Sequence, residues 1–589
     1  MKLVFATILI LLLSVNMAYT AQQKGKDTVK SSNDSTRVII IPDKATPVVK
    51  YAAKELQHFL NEILSSKPVV ARESEAVGKP AYVMGPCKRS ASLMNRLNDL
   101  HEDGVLIKTI GEDIMLLGQN DRGQLYSVYV LLEKFMDVRF LAGDCTVIPK
   151  GIKPALSDID YAYSPPFMYR ETLYFDSFPK QIATRQRLNG PTTKCDAEVG
   201  GKIQILPYVH SFNKIISPEK YFAEHPEYFS LVGGKRTNLT IHGQLCLTNP
   251  DVLKITKAQV LKWIEDNPEV PIFDVSQNDG GGACECENCM AIVNEEGSQH
   301  GPIIRFVNEV ADEVAKRYPD KWIETLAYAY STKPSAITKP RKNVIIRLCH
   351  AGCFFHGFEE CGLGANYANY LNEWNKITDR IFIWHYATNF AHYISPNQNL
   401  SGLVKDIGYY ASHNVNGLMI QGNYESSGGE MAELRQYLSA QLMWDPVSDS
   451  KPIIRDFCRG YYGAASVDVL AYVALMDKAA ARPGVHAFAA WDPKDTTTRE
   501  YVANGLRLIE RARKRTLTKA EINRVDRLFL PFWYMMLTYP DAYGLDSSEA
   551  AGIVKEFRRI VEVSHITRIR EGADIEPWLK EMESRYTAK

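Results

Sequence analysis

Ile272-Phe273-Asp274-Val275-Ser276-Gln277-Asn278-Asp279-Gly280-Gly281-Gly282 decides how the chain is read. It opens as a short, largely apolar run of the kind that a parallel sheet buries. It closes on polar residues followed by three glycines, which let the backbone turn sharply and approach a ligand. A strand ending this way suits the C-terminal rim of a (β/α)8 barrel, where catalytic groups project. Seven further stretches have strand character: 168–174, 203–207, 244–247, 323–330, 344–349, 381–386 and 417–421. Helical patterns lie between several of them. Ile303, Phe306, Val307, Val310 and Val314 form one apolar stripe, and 252–263, 367–377, 403–412 and 431–444 serve similarly. Eight such units predict an α/β fold with a central TIM-like barrel over 161–446. The connection 330–343 is too rich in proline for a full helix.

Residues 37–160 predict an N-terminal two-layer α/β domain. Val38-Ile39-Ile40-Ile41 reads as a strand, and Ala52, Leu56, Phe59, Leu60 and Ile63 share one helical face. Further strands are expected at 81–84, 104–108 and 114–117, and a second helix at 123–135. Residues 447–589 show few strand signals and predict a C-terminal helical domain, with helices at 453–462, 467–481, 498–514, 519–538 and 547–564. Residues 1–21, with Lys2 ahead of an apolar run and Ala18-Tyr19-Thr20 near a cut, read as a secretory signal peptide, and 22–36 as a polar lead-in. Export to the periplasm, cell surface or medium is therefore expected. No later run has the roughly 20 apolar residues of a membrane span.

Lys+Arg and Asp+Glu balance at 69 each, so no global charge draws the chain to nucleic acid or anionic membrane. No P-loop lysine or strand-end arginine cluster points to phosphoryl transfer. The strand ends gather carboxylates, amides, imidazoles and aromatic rings instead, a set suited to sugars. Asp279, Glu425 and Glu430 are the candidate catalytic carboxylates, because glycosidic cleavage uses two carboxyl groups, or one with a substrate acetamide. Glu171, His210, Asn278, Tyr330, His350, Trp384, His385 and Tyr424 are the candidate sugar-binding residues. Each also has a plainer reading: Asp279 capping a turn, Glu430 at a helix start, Glu171 in an ion pair with Arg170, the histidines satisfied in the core. Cys284, Cys286 and Cys289, in a Cys-x-Cys-x-x-Cys string, fit either a structural zinc site, with Cys246 or a histidine as fourth ligand, or disulfides, since the chain is exported and holds 11 Cys. No cofactor for catalysis is expected.

Ser276-Gln277-Asn278-Asp279 with the cysteine string, Gln244-Leu245-Cys246-Leu247-Thr248-Asn249-Pro250, His225-Pro226-Glu227-Tyr228-Phe229, Thr388-Asn389-Phe390-Ala391-His392-Tyr393 and Gln421-Gly422-Asn423-Tyr424 occur in order. Together they resemble the domain of unknown function 4838, associated with glycoside hydrolase family 163. Ala52-Ala53-Lys54-Glu55-Leu56 and Arg122-Gly123 resemble the domain that precedes the barrel in α-glucuronidases and β-hexosaminidases. The resemblance implies an endo-β-N-acetylglucosaminidase that cuts the chitobiose core of complex-type N-glycans on glycoproteins with retention of configuration. Rival expectations are an exo-acting hexosaminidase or α-glucuronidase-like hydrolase, and a non-catalytic glycan-binding protein.

Overall fold

The computed structural model describes residues 37–152, 154–238, 243–350 and 352–587. The expected signal peptide and lead-in, 1–36, lie outside them.

Thr46 starts the first helix by accepting a bond from the Val49 N–H, with Pro47 in the first turn, where its missing N–H costs nothing. This helix, α1 (Pro47–Leu64), buries Ala52, Leu56, Phe59, Leu60 and Ile63, the face its spacing predicts. It packs with α2 (Asp121–Val130) against a six-stranded sheet. The strands are β1 (Val38–Ile41), β2 (Val70–Arg72), β3 (Ala81–Met84), β4 (Val105–Ile110), β5 (Asp113–Gly118) and β6 (Asp160–Tyr163), in the order β2-β1-β3-β5-β4-β6.

The second sheet is all parallel and curls into a partial barrel. Its strands are β7 (Tyr169–Leu173), β8 (Ile205–Leu206), β9 (Ile272–Asp274), β10 (Trp322–Ala327), β11 (Val344–Cys349), β12 (Ile381–Tyr386) and β13 (Val415–Gln421), in the order β8-β9-β10-β11-β12-β13-β7. Seven of the eight expected strands are present. The eighth, 244–247, is not in this sheet. Its backbone is used elsewhere: Ser230 N–H donates to Gln244 O at 2.9 Å and Cys246 N–H to Tyr228 O at 2.8 Å. β8 therefore pairs directly with β9. β7 and β8 are not paired as strands; Asn189 reaches both sides, donating to Arg170 O at 3.1 Å and accepting from Ile203 N–H at 2.8 Å.

Inward residues alternate along these strands. Ile272, Ile345, Leu326, Cys349, Phe382 and Trp384 belong to one buried apolar cluster inside the curl. Between its layers sits a charged one. Arg347 grips both carboxylate oxygens of Glu324, both side chains are fully buried, and Asp274 lies beside them. Arg347 also lies over the Tyr169 ring at 5.0 Å. The helix His300–Arg317 covers the outside with the predicted Ile303, Phe306, Val307, Val310 and Val314. The proline-rich 330–343 connection forms no long helix, and buried Glu296 pins it by accepting from the Ile337 and Thr338 N–H groups.

The C-terminal part is helical as expected, with two departures. The stretch 519–538 divides into Lys519–Arg527 and Leu530–Thr538. A β-hairpin, β14 (Arg568–Arg570) and β15 (Ala573–Asp574), interrupts the helices and turns at Gly572, whose φ is 68°. No described helix is long and apolar enough to cross a membrane.

Candidate active site

The C-terminal ends of the curled strands open into a cavity of about 870 Å³. Asp279 stands on its rim, beyond β9, where Gly280 and Gly282 take φ values of 92° and 83° that L side chains rarely adopt. The Tyr328 hydroxyl donates to Asp279 Oδ1 at 2.9 Å. A second carboxylate, Glu571, enters from the C-terminal hairpin. The Tyr424 hydroxyl donates to Glu571 Oε1 at 3.0 Å. Burial raises the Glu571 carboxyl above its ordinary value; the Tyr424 bond opposes this, and the charges of Glu425 and Asp279 add to it. Two carboxylates thus share one cavity, each held by a tyrosine.

Aromatic rings line the rest. Tyr208 and Trp384 are 6.3 Å apart between ring centres, and Trp384 Nε1 donates to Gln421 Oε1 at 2.7 Å, which fixes the indole on the wall. His210 arrives on a strained backbone: Val209 and His210 have φ values of 34° and 52°. The turn is locked to the end of β9, because His210 N–H donates to Ser276 Oγ at 3.0 Å and Ser276 N–H to Ser211 Oγ at 2.9 Å. His210 Nδ1 donates to Gln277 O at 2.8 Å, which fixes the orientation of the ring. His350 is buried on the cavity wall with its ring stacked on His385 at 4.6 Å, and burial drives its pKa down to about 3, so the ring is neutral. No arginine or lysine is among the described residues that line the cavity.

Of the residues singled out from sequence, Asp279, His210, His350, Trp384 and Tyr424 line this cavity. The others lie elsewhere. Glu430 is buried away from it, accepting from Asn397 N–H at 2.7 Å and from the Tyr472 hydroxyl, with Arg435 at 3.4 Å. These partners saturate the carboxylate and make it structural. Glu425 stands behind the hairpin and accepts from Gly572 N–H at 2.7 Å. Glu171 is buried under the floor, held by Tyr169 and by Thr192, whose N–H donates at 3.0 Å. Asn278 spends its side chain on Asn213 and Gly243. His385 lies behind His350, with Nδ1 3.1 Å from the Tyr410 hydroxyl. Tyr330 faces the cysteine string instead. Glu571 has no counterpart in the sequence reading. Its one local signal is the Glu571-Gly572 turn after the alternating Arg568-Ile569-Arg570.

Cys246 joins Cys284, Cys286 and Cys289 in one group whose sulfurs lie within 4.8 Å of one another, and all 11 cysteines are free thiols.

Residues 140–474 match the family model described as "Domain of unknown function (DUF4838)", and residues 19–131 match "Glycosyl hydrolase family 67 N-terminus". No curated protein matches the chain. One similar solved structure is titled "A novel family GH115 4-O-Methyl-alpha-glucuronidase, BtGH115A, with specificity for decorated arabinogalactans". It is 10% identical with a TM-score of 0.59, over 92% of this chain and 77% of that one. Another, a "GH138 enzyme targeting pectin rhamnogalacturonan II", is 10% identical with a TM-score of 0.45, over 94% and 79%. The first of these likenesses is one of fold.

Proposed function

We propose a reaction for a chain that belongs to the DUF4838 family: hydrolysis of a glycosidic bond between Asp279 and Glu571. The observation that carries this reading is the pair of tyrosine-held carboxylates in an aromatic-walled cavity at the strand ends. Glu571, raised by burial, holds the proton for the leaving-group oxygen. Asp279 acts on the opposite side of the sugar, as nucleophile or by orienting a substrate acetamide. The aromatic walls take the sugar faces, while His210 and Gln421 meet hydroxyls.

The sugar is neutral. A uronate carboxylate would face two carboxylates with no arginine or lysine among the described lining residues to balance it, and His350 is neutral. An α-glucuronidase-like reaction, which the fold likeness brings to mind, therefore suits this cavity poorly. β-Linked GlcNAc, with its neutral acetamide, suits it well. We assign the chain an endo cut in the chitobiose core of complex-type N-glycans, outside the cytoplasm, with retention of configuration.

Incubation with a complex-type N-glycoprotein, followed by mass analysis, tests this. Release of whole glycans, leaving one GlcNAc on the protein, is the expected result; single sugars would instead mean an exo enzyme. Asp279→Asn and Glu571→Gln should each lower kcat about 10²–10⁴-fold with circular dichroism unchanged. Binding without turnover by the unaltered chain would make it a glycan-binding protein. Free GlcNAc should inhibit more strongly than glucuronate.

A further inference from the structure

Cys353, His356, Cys361 and His486 come together outside the reaction cavity, from the loop after β11 and from the C-terminal part. Each offers one ligand atom, and these four atoms lie within 4.8 Å of one another. Cys353 Sγ is 3.3 Å from His356 Nδ1, and Cys361 Sγ is 3.5 Å from His486 Nδ1. A tetrahedral zinc with Zn–S of about 2.3 Å and Zn–N of about 2.0–2.1 Å has a sulfur-to-nitrogen edge of about 3.5 Å. The observed separations match that edge. The tautomer also fits: His356 Nε2 donates to Ala480 O at 2.9 Å, which leaves the Nδ1 lone pair facing the thiols. A backbone carbonyl on the second ring nitrogen is the usual support of a metal-bound histidine. Both cysteines are buried, so their thiols have no solvent to turn to.

We propose that these four residues hold a structural zinc ion that clamps the C-terminal segment to the cavity wall. Closed S₂N₂ sites of this shape suit a structural zinc and leave no open position for substrate. The loop between the ligands carries Phe354, and the strand of chain beyond His486 carries Phe488 and Ala489; all three line the cavity. Phe354 N–H also donates to Ala487 O at 2.9 Å. The metal thus fixes two pieces of one wall to each other.

A different observation carries the same assignment for Cys246, Cys284, Cys286 and Cys289. Cys246 Sγ lies 3.7 Å from Cys286 Sγ and 4.0 Å from Cys289 Sγ, against a sulfur-to-sulfur edge of about 3.8 Å in a tetrahedral thiolate site. Leu231 N–H and Arg236 both direct donors at Cys284 Sγ, contacts that would support a metal-bound thiolate there.

The full chain, purified without chelator or metal-affinity resin, should carry two zinc ions by plasma mass spectrometry and by native mass. Zinc-edge X-ray absorption should show a shell averaging three sulfurs to one nitrogen. The double variant Cys353→Ser/His486→Ala should keep one zinc in an all-sulfur shell and lose about tenfold or more in kcat/KM. An all-sulfur shell in the unaltered chain would overturn the S₂N₂ site, and this reading needs no variant to fold. Zinc-free protein whose intact mass and peptide map show a Cys353–Cys361 disulfide would overturn it as well. A double variant that retained both zinc ions would place the second metal elsewhere and overturn it too.

Discussion

Glu571 and Tyr424 lie 147 residues apart in the chain and 3.0 Å apart in space. Burial sets the pH behaviour expected of the reaction, and that bond tempers it. The carboxyl is raised, so it stays protonated past the usual glutamate range and can donate; turnover should fall as pH climbs through its pKa. Glu571→Gln should abolish this alkaline limb. The Tyr424 hydroxyl favours the charged carboxylate, so Tyr424→Phe should move the limb to higher pH. Steady-state kcat/KM profiles of the three proteins check both outcomes. Asp279 was legible in the sequence because a strand end and a glycine turn mark it within a few residues. Glu571 was not, because no local pattern tells which surface turn of a distant segment will fold back over a barrel mouth. Glu430 misled for a related reason: a carboxylate at a helix start just beyond a strand end is what a rim residue looks like, and only tertiary packing delivers Tyr472, Asn397 and Arg435 to it.

Among elements, the charged layer inside the curl has a large energetic stake. Arg347 and Glu324 are fully buried partners, so removing one leaves the other charged and unpaired. Arg347→Met should cost about 3–5 kcal/mol in urea unfolding for that reason. Asp274, raised to about 8 by burial and then by the Glu324 charge, gives a second readout. Its native carboxyl holds a proton that the unfolded chain releases near pH 4, so stability should fall as pH rises from about 4 towards 8. Asp274→Asn should flatten that slope. The strands bearing these residues follow from apolar runs of the right length, and the sequence places all seven within a few residues. The stretch 244–247 has the same apolar character, yet it bonds to 228–230 and to the β9 loop. Gln244 Nε2 donates to Asn278 O at 2.9 Å, for example. Runs this short carry strand propensity but not the identity of the partner.

For the whole molecule, the cavity is a joint product of the curled sheet and the C-terminal hairpin. Glu425 is one of the ties between them, through its 2.7 Å bond from Gly572 N–H, beside Glu571 N–H to Phe390 O at 2.9 Å and Tyr393 N–H to Ile569 O at 3.0 Å. Glu425→Ala should lower kcat about tenfold by letting Glu571 drift. Global stability should stay within about 0.5 kcal/mol, because the site is at the surface. Hydrogen exchange should report the loosening as faster exchange confined to 567–574, with the sheet amides unaffected. Uniform change across the molecule would mean that Glu425 supports the fold rather than the hairpin.

The family match ends at residue 474, and Glu571 stands almost a hundred residues further on. The family match therefore covers one half of the proposed dyad and not the other. A chain cut to the 140–474 stretch would keep Asp279 with Tyr328 and lack Glu571. Different C-terminal additions on one sheet could then supply donors of different reach and acidity, which would diversify linkage preference while the sugar-stacking wall stays the same.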